Sequence, residues 1–511
     1  MSRPAGRRRR PEALPAFAFR PALAHTSRIV PVIHVLAVVL LLFSFSMLVP
    51  LAFSLALGDG ADGAYHRSFL ATFVTGLAVF LATRSRQRRE LEAREGFLLV
   101  ALVWTVVPAF ATIPLLLQLP GLSFTDAYFE CVSGLTTSGA TVLSGLGALP
   151  PSINVWRTLL VWMGGMGIIV LAVAVMPLLG VGGSQLFKAE TPGCMKDTKL
   201  TPRIGDTAKG LWLAYVLLSA ACLLAYRWAG MGWVDAVVHA FSTMGLGGFS
   251  SHDESFGWFA SPAIEGVAIL FMLLASLNFA THFLALRRRS LRAYAADPEV
   301  IRVFFWMLAS CLLVGGFLWW RGVYDEPLVA LRHAAFNVVS IASTTGFAST
   351  DFAQWPVFAP IWMIFLSCFA TSSGSTGGGI KMIRASLLFK QSIREMTRII
   401  HPHAIAPVKF GGQVIENNVI FAVLAFMLMY GGTVIAMTML LTASGLDVVS
   451  AITAVLACIN TMGPGLGQVG PSTTYAVLSD FQTWLCTATM LLGRLELFTL
   501  LVLFTPAFWR K

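Results

Sequence analysis

Charged residues are scarce in this sequence of 511 residues, at 12% of the chain, where average soluble proteins carry about 25%. Hydrophobic residues make up 56% of the chain, and the mean hydropathy is +0.75. This composition excludes an ordinary soluble domain. It predicts an integral membrane protein with many spans.

Sites for disulfides, metals and catalysis are also missing. The 7 cysteines are scattered, without a CxxC pair or a neighbouring histidine, which argues against a disulfide framework and against a zinc site. His239, His282 and His333 stand alone, so we expect each to make local hydrogen bonds rather than bind a metal. An enzyme acting on a lipid-linked substrate would need paired carboxylates or a histidine cluster inside the membrane, and neither is visible.

Two glycine-rich stretches imitate nucleotide-binding motifs, but both lack a required feature. In residues 374–381, Ile380 separates the last glycine from Lys381, whereas a phosphate-binding loop needs lysine directly after the glycine. Residues 465–470 match GxGxxG, but they do not follow a predicted strand. We therefore expect no organic cofactor in this chain.

Positive charge is in excess, with a formal net charge of +11, and it is clustered. Lysine and arginine concentrate before Ile29 and in residues 84–94, 188–209, 287–302 and 381–409. This alternation is the positive-inside pattern of a multi-pass membrane protein, and it predicts that both termini are cytoplasmic. The basic balance thus reports topology and attraction to membrane lipid, and we expect no nucleic-acid partner.

Four short segments of small residues organise the rest of the chain. Each ends on a glycine that has an alanine twelve positions earlier; the glycines are Gly139, Gly248, Gly346 and Gly463. A period of about one hundred residues is too long for a solenoid and fits a unit of spanning helix, half-helix, loop and spanning helix. Inside a membrane, backbone leaves helical geometry only where it lines a cavity or is buried in protein. The four segments therefore predict pore loops.

These loops predict a cation filter, because rings of carbonyl oxygens replace the water shell of an ion. The half-helices would point their partly negative C-terminal ends at the pore, which also favours a cation. The two residues before each glycine would supply the carbonyls. The predicted filter residues are Thr137, Ser138, Gly139, Leu246, Gly247, Gly248, Thr344, Thr345, Gly346, Thr461, Met462 and Gly463.

The predicted fold is an all-α polytopic membrane protein, with four pseudo-symmetric helix–pore-loop–helix repeats around a central pore and two extra N-terminal transmembrane helices. The predicted segments are a basic cytoplasmic tail at 1–28, the two extra helices at 29–95 and pore repeats at 96–208, 209–302, 303–416 and 417–511. The inner helices of repeats one, two and four, near residues 153–179, 262–286 and 483–508, are expected to be continuous.

The inner helix of the third repeat is expected to be broken. It runs into residues 371–379, which are all Gly, Ser or Thr, and each glycine costs a helix up to about 1 kcal/mol relative to alanine. A mobile loop on the cytoplasmic side of the filter would obstruct the pore, and the alternative is a kink that serves packing. The predicted gate residues are Gly374, Ser375, Thr376, Gly377, Gly378, Gly379, Lys381 and Arg494.

Arg494 lies in the fourth inner helix, where a charged side chain is costly and faces the protein interior or a water-filled cavity. Glu496 is two positions on and would point to another side of the helix, so pairing of the two is the weaker explanation. The stronger one places Arg494 below the filter as a barrier to cations. Two unit charges about 4 Å apart repel by about 4 kcal/mol at an effective dielectric constant near 20.

Several motifs together resemble those of a known family. They are Thr136-Thr137-Ser138-Gly139-Ala140-Thr141, Trp162-Met163-Gly164-Gly165-Met166-Gly167, Gly247-Gly248-Phe249-Ser250, Thr344-Thr345-Gly346-Phe347, Gly374-Ser375-Thr376-Gly377-Gly378-Gly379 and Gly463-Pro464-Gly465-Leu466-Gly467. From residue 30 to residue 508, the chain resembles the membrane subunit of the bacterial Trk potassium-uptake system, within the Trk/Ktr/HKT superfamily of cation transporters. The two extra N-terminal helices resemble the Trk branch more than the Ktr branch.

The resemblance implies potassium uptake across the bacterial cytoplasmic membrane, a homodimer, and a cytosolic regulatory partner with nucleotide-binding domains. The four glycines go with potassium permeation in this family, and Arg494 matches an arginine of the family's gate. Ser138 stands where threonine is more usual, and Thr461 where asparagine is. These departures should change little if backbone carbonyls bind the ion.

Two other functions are alternatives to a potassium pore. A secondary transporter coupled to H⁺ or Na⁺ would also use discontinuous helices. Such transporters are commonly built from inverted halves, so four direct repeats of one hairpin argue against this alternative. A membrane-embedded enzyme is the more remote alternative.

Overall fold

The structure, a computed structural model, describes residues 26–84, 93–174 and 204–510, and it is mostly helical over these ranges. Six helices are long and apolar enough to cross a membrane, and two bent helix pairs would raise the number to eight. Large apolar side chains such as Leu42, Phe305 and Leu428 lie exposed on the outer faces of these helices, as expected of a surface that contacts lipid. The predicted all-α polytopic fold is confirmed.

Two helical spans precede the repeated units, as predicted. Their helices are Thr26–Ser46 with Leu48–Leu57, and Asp62–Arg84. The turn between the spans is fixed by Asp59, whose carboxylate accepts hydrogen bonds from the Ala61 backbone N–H at 3.1 Å and from the Ser152 backbone N–H at 2.9 Å. The second bond ties the turn to the first repeated unit. Most of the basic tail at 1–28 and most of the basic segments 84–94 and 188–209 lie outside the described residues.

Each repeated unit has an outer helix, a short pore helix and an inner helix, numbered here by unit. The outer helices are Ala93–Gln118, Ile204–Trp228, Pro298–Trp320 and Asn417–Ala443. The pore helices are Phe124–Leu135, Trp233–Gly245, Pro327–Ala342 and Val448–Ile459. The inner helices begin as Pro151–Ala174, Pro262–Ala275, Phe358–Ser367 and Asp480–Arg494.

Inner helices 2, 3 and 4 are broken. The break expected in unit 3 is present, and the chain resumes there as Met382–Ile400. The expectation of continuous inner helices in units 2 and 4 is wrong, because inner helix 2 bends by 95° into Phe279–Arg288 and inner helix 4 bends by 107° into a segment from Phe498 to Phe504. At the first of these bends, Asn278 caps the second segment by accepting a hydrogen bond from the Ala280 backbone N–H at 2.9 Å.

The remaining elements are short. They are the helices Arg292–Ala296, Phe498–Leu501 and Pro506–Trp509, the 3-10 turns Leu146–Ala148, Ser255–Trp258, Phe352–Gln354, Gly467–Val469, Tyr475–Val477 and Val502–Phe504, and the strands Lys409–Phe410 and Gln413–Val414. The two strands pair antiparallel. One large apolar cluster joins units 2 and 3, and another joins units 1 and 4 with the N-terminal spans. Every pore helix contributes buried residues to at least one of these clusters.

Candidate ion pathway

All four pore helices end in the same way. In each unit, the residue two positions before the glycine that ends the pore-loop segment has a left-handed backbone. The φ angles are 57° at Thr137, 54° at Leu246, 62° at Thr344 and 53° at Thr461. The next backbone N–H then donates to a carbonyl five residues back: Ser138 to Ser133, Gly247 to Ser242, Thr345 to Ser340 and Met462 to Ala457, at 2.8 to 3.0 Å. This closure satisfies one carbonyl at each helix end. A left-handed non-glycine residue costs about 1–3 kcal/mol, and such strain clusters at functional sites.

The four glycines that follow form a ring, here called the glycine ring: Gly139, Gly248, Gly346 and Gly463. Their φ angles are 77°, 68°, 89° and 94°. Each faces the carbonyl oxygen of the residue before the next unit's glycine. A Cβ on Gly139 would collide with the oxygen of Gly247, one on Gly248 with that of Thr345, one on Gly346 with that of Met462, and one on Gly463 with that of Ser138. The contacts run through units 1, 2, 3, 4 and back to 1, so the ring is closed.

Glycine is needed in this ring for two reasons, the left-handed backbone and the space that a Cβ would fill. The structure thus brings the twelve predicted filter residues together in four adjoining loops. The nearest atom to a Cβ placed on any ring glycine is a backbone carbonyl oxygen of the neighbouring unit. This is the type of oxygen that cation filters use.

The side chain of Ser138 points back to its own pore helix. Its hydroxyl lies 2.9 Å from the Thr136 hydroxyl, and the hydroxyl of Thr345 makes the same contact with Ser343 at 2.7 Å. Serine therefore reproduces in unit 1 the bond that threonine makes in unit 3. Thr461 occupies a left-handed position like Thr137 and Thr344, so neither departure alters the arrangement of the loop backbones.

A polar side chain in the middle of each pore helix fixes the extended segment that follows the ring glycine. Glu130 accepts from the Val142 N–H at 3.0 Å, His239 contacts the Ser250 hydroxyl at 3.0 Å, Asn337 accepts from the Ser349 N–H at 3.2 Å, and Thr453 accepts from the Leu466 N–H at 2.9 Å. These bonds hold both arms of every loop to one helix. The backbone of each loop is therefore fixed by side chains of the protein itself.

The isolated histidines have the local roles predicted for them. Besides Ser250, His239 contacts the Asp235 carbonyl at 2.8 Å, and His282 lies 2.8 Å from both the Tyr294 hydroxyl and the Leu274 carbonyl. His333 lies 3.3 Å from the Ser349 hydroxyl. Over residues 26–84, 93–174 and 204–510, His, Cys, Asp and Glu form no group of three or more that could hold a metal.

An ion pair between Arg157 and Glu130, which was not predicted from the sequence, lies behind the ring. The two side chains are 1% exposed and 2.7 Å apart. Arg157 also donates to the Ser250 carbonyl of unit 2 at 3.2 Å, and its guanidinium stacks over the Phe249 ring at 4.4 Å. The pair thus joins pore helix 1, inner helix 1 and the extended segment that follows Gly248 in unit 2.

We expect Arg157→Ala to destabilise the protein by about 3–5 kcal/mol, because it leaves the Glu130 carboxylate buried without its counter-ion. Thermal unfolding of the purified protein in detergent measures this effect. The matched control is Arg398→Ala, which breaks a pair with Glu395 whose two side chains are 44% and 51% exposed. An equal loss of stability in the two variants would contradict a greater contribution of Arg157 to stability.

The residues 371–379, here called the small-residue loop, lie against the residues that enter the glycine ring. The Gly378 N–H donates to the Thr344 hydroxyl at 2.9 Å. A Cβ on Gly378 would collide with the Asn460 carbonyl oxygen, and the Thr376 hydroxyl donates to the Met244 carbonyl at 3.0 Å. The loop therefore touches the pore-helix ends of units 2, 3 and 4, where an ion leaving the ring would pass.

Two buried basic side chains hold carbonyls of this loop. Lys381 donates through Nζ to the Gly377 carbonyl. Arg494, 2% exposed, donates to the Thr376 carbonyl at 2.9 Å and to the Gly164 carbonyl of inner helix 1 at 3.0 Å. The predicted gate residues thus come together. Glu496 forms an ion pair with Arg384 at 2.8 Å.

The charged groups that sequence reasoning missed share one signal. Glu130, Arg157 and Glu299 are ionisable residues within or beside apolar helices, and each is almost fully buried. Such residues are functional candidates by default, because an unpaired charge at membrane depth is costly. Applying this rule beyond Arg494 would have singled them out.

Comparison with known proteins gives one consistent result. A family model described as TrkH, cation transport protein, matches residues 64–320 and 326–511. Proteins named Trk system potassium uptake protein TrkH are similar over 482 residues: that of Salmonella typhimurium is 45% identical, and that of Escherichia coli K12 is 44% identical. Each alignment covers 94% of this chain and 99% of the relative.

A solved structure shows the same similarity in three dimensions. The crystal structure of the potassium transporter TrkH from Vibrio parahaemolyticus superposes with a TM-score of 0.86 at 40% sequence identity. The match covers 94% of this chain and all of the solved one. The likeness therefore extends over nearly the whole length of both proteins.

Proposed function

Since the chain belongs to the TrkH family of cation transport proteins, we propose that it takes up potassium through a pore whose narrowest part is the glycine ring. Potassium is the transported ion, and this multi-pass membrane protein is a transporter and not an enzyme. The observation that carries the proposal is the closed circuit of contacts between the four glycines and the four carbonyl oxygens. We infer that these oxygens replace the water shell of K⁺.

The test of uptake is growth of a potassium-uptake-deficient bacterial strain at low potassium. The chain, expressed with the regulatory subunits of a related Trk system, should restore growth. The matched control is Arg157→Ala, in which the ring loses its support. Failure of the unmodified chain to restore growth, with protein present in the membrane, would contradict potassium uptake.

For the filter, we expect Gly139→Ser to lower the discrimination of K⁺ over Na⁺. A side chain at this position collides with the carbonyl of Gly247 and strains a φ of 77°, so it shifts an oxygen that would contact the ion. Isotope uptake into liposomes gives the ratio of the two fluxes.

The control for this filter test is Gly322→Ser. Gly322 also has a positive φ, of 68°, but a Cβ there has nothing within 4 Å. An unchanged flux ratio in Gly139→Ser would argue against the glycine ring as the filter.

We propose further that the small-residue loop is the gate, with Gly374, Ser375, Thr376, Gly377, Gly378 and Gly379 as its moving part. Its contacts with Met244, Thr344 and Asn460 support this role. Lys381 and Arg494 would hold the closed position through the carbonyls of the loop. Arg494 also adds positive charge beside the path of a cation.

The protein works as part of a Trk system, as the names of its relatives indicate. We propose a homodimer that associates with a cytosolic nucleotide-binding subunit. The helix Met382–Ile400 directly continues the small-residue loop and exposes Phe389, Met396 and Ile399, so a partner that moves this helix would move the gate. We propose that both termini are cytoplasmic and that the pore units span 96–208, 209–302, 303–416 and 417–511.

A further inference from the structure

We propose that Glu299 is a positioning residue of the gate. It would hold the first residues of the small-residue loop, 372–374, in place beneath the ring. The inference rests on the proposed gating role of that loop. Glu299 lies in the first turn of outer helix 3 and is 0% exposed. It is therefore a carboxylate that the fold keeps away from water.

The carboxylate of Glu299 contacts the loop directly. One oxygen accepts from the Ser372 hydroxyl at 3.1 Å, and the other accepts from the Ser373 backbone N–H at 3.2 Å. A carboxyl group has two oxygens that can each accept a hydrogen bond. Each oxygen thus binds one of two consecutive residues near the start of the loop.

Glu299 is itself held by elements outside the loop. Its backbone N–H donates to the Asp297 carboxylate at 2.9 Å, which caps outer helix 3. Asp297 also accepts from the Thr281 hydroxyl, on the second segment of inner helix 2, at 2.8 Å. The carboxylate therefore projects from a junction of two helices and is a fixed point for the loop.

The leading edge of the loop also pairs with the bend of inner helix 2. The Ser372 N–H donates to the Ser276 carbonyl at 2.9 Å, and the Phe279 N–H donates to the Gly374 carbonyl at 3.1 Å. These are backbone groups that a continuous helix would have used internally. The bend of inner helix 2 therefore forms backbone hydrogen bonds with residues 372–374 of the loop. Glu299 binds residues of the same segment from outer helix 3.

The loop thus divides into two parts with different partners. Residues 372–374 are fastened by Glu299 and the bend of inner helix 2, whereas Thr376, Gly377 and Gly378 contact the pore helices and the basic side chains. Loosening the fastened part gives the obstructing part more freedom to leave the pore. Weakening Glu299 should therefore favour the open state without touching the ring.

The experiment is isotope uptake by the purified full-length chain in liposomes, comparing the unmodified protein with Glu299→Gln. The amide has the same shape, but one of its two acceptor oxygens is replaced by a donor NH2 group. We expect K⁺ uptake to rise several-fold, the shift that loss of one hydrogen bond produces, while the ratio of K⁺ to Na⁺ flux stays unchanged. Ser372→Ala should raise uptake in the same direction, and adding it to Glu299→Gln should raise uptake little further.

Two controls separate the possible failures. Glu265→Gln makes the same change in a buried carboxylate at the other end of inner helix 2 and should leave uptake unchanged. Deletion of residues 374–379 tests the gate itself. Wild-type uptake in both Glu299→Gln and Ser372→Ala, when the deletion raises uptake, overturns the role of Glu299 alone. If the deletion also leaves uptake unchanged, the gate proposal is wrong and this one with it.

Discussion

Arg494→Ala is expected to raise potassium flux and to weaken control by the cytosolic subunit. Arg494 donates to the Thr376 carbonyl of the small-residue loop and to the Gly164 carbonyl of inner helix 1. Each hydrogen bond from a charged donor contributes about 1.5–3 kcal/mol. Loss of one such bond shifts the balance between closed and open loop roughly tenfold to a hundredfold.

The measurement is K⁺ uptake by liposomes that hold equal amounts of folded protein, with and without the regulatory subunit. Arg494→Lys is the matched control, because it keeps the charge and one donor while losing the two-pronged geometry of guanidinium. It should stay close to the unmodified protein. If Arg494→Ala and Glu496→Ala both give misfolded protein, a structural role for this region replaces the gate.

Deletion of residues 374–379 is expected to raise flux further while preserving selectivity. The deletion removes the residues that touch Met244, Thr344 and Asn460 and leaves the glycine ring intact. The stem of the loop is closed by two backbone bonds, from Ile380 to the Cys368 carbonyl at 2.6 Å and from Met382 to the Thr371 carbonyl at 2.8 Å. Both bonds lie outside the deleted residues, so the deletion removes neither their donors nor their acceptors.

Relative K⁺ and Na⁺ uptake in liposomes tests this deletion. Its control replaces residues 374–379 by the same number of alternating Gly and Ser residues, which keeps the length but changes the sequence. A folded deletion variant with the flux of the unmodified protein would favour the alternative of a helix kink that only packs. A lost preference for K⁺ would mean that the loop contributes to the filter.

The ring was predictable because its signal is repeated. One TTSG segment is an ordinary loop, but four glycines with alanines in the same register fix which residues correspond, including the choice of Gly248 over Gly247. The broken third inner helix was also predictable, because glycine, serine and threonine are weak helix formers and nine such residues stand together. Repetition along the chain led to the first conclusion, and local composition led to the second.

The bends of inner helices 2 and 4 could not be read in this way. The bend at Ser276 is stabilised by backbone partners at Ser372 and Gly374, almost one hundred positions away. The bend after Arg494 places Glu496 and Leu497 in left-handed conformations, with φ of 54° and 53°, although neither is glycine. Tertiary contacts overrode local preference at both places.

The closure of the glycine ring also has a consequence for biogenesis. The contact of Gly463 with the Ser138 carbonyl joins the last quarter of the ring to the first, so it cannot form until the fourth hairpin has been inserted. Synthesis proceeds from the N-terminus, and a nascent chain with three hairpins holds an incomplete circle. On the proposed role of the ring, ion selectivity therefore arises in a single late step of membrane insertion, and a chain that ends before that step would have no closed ring.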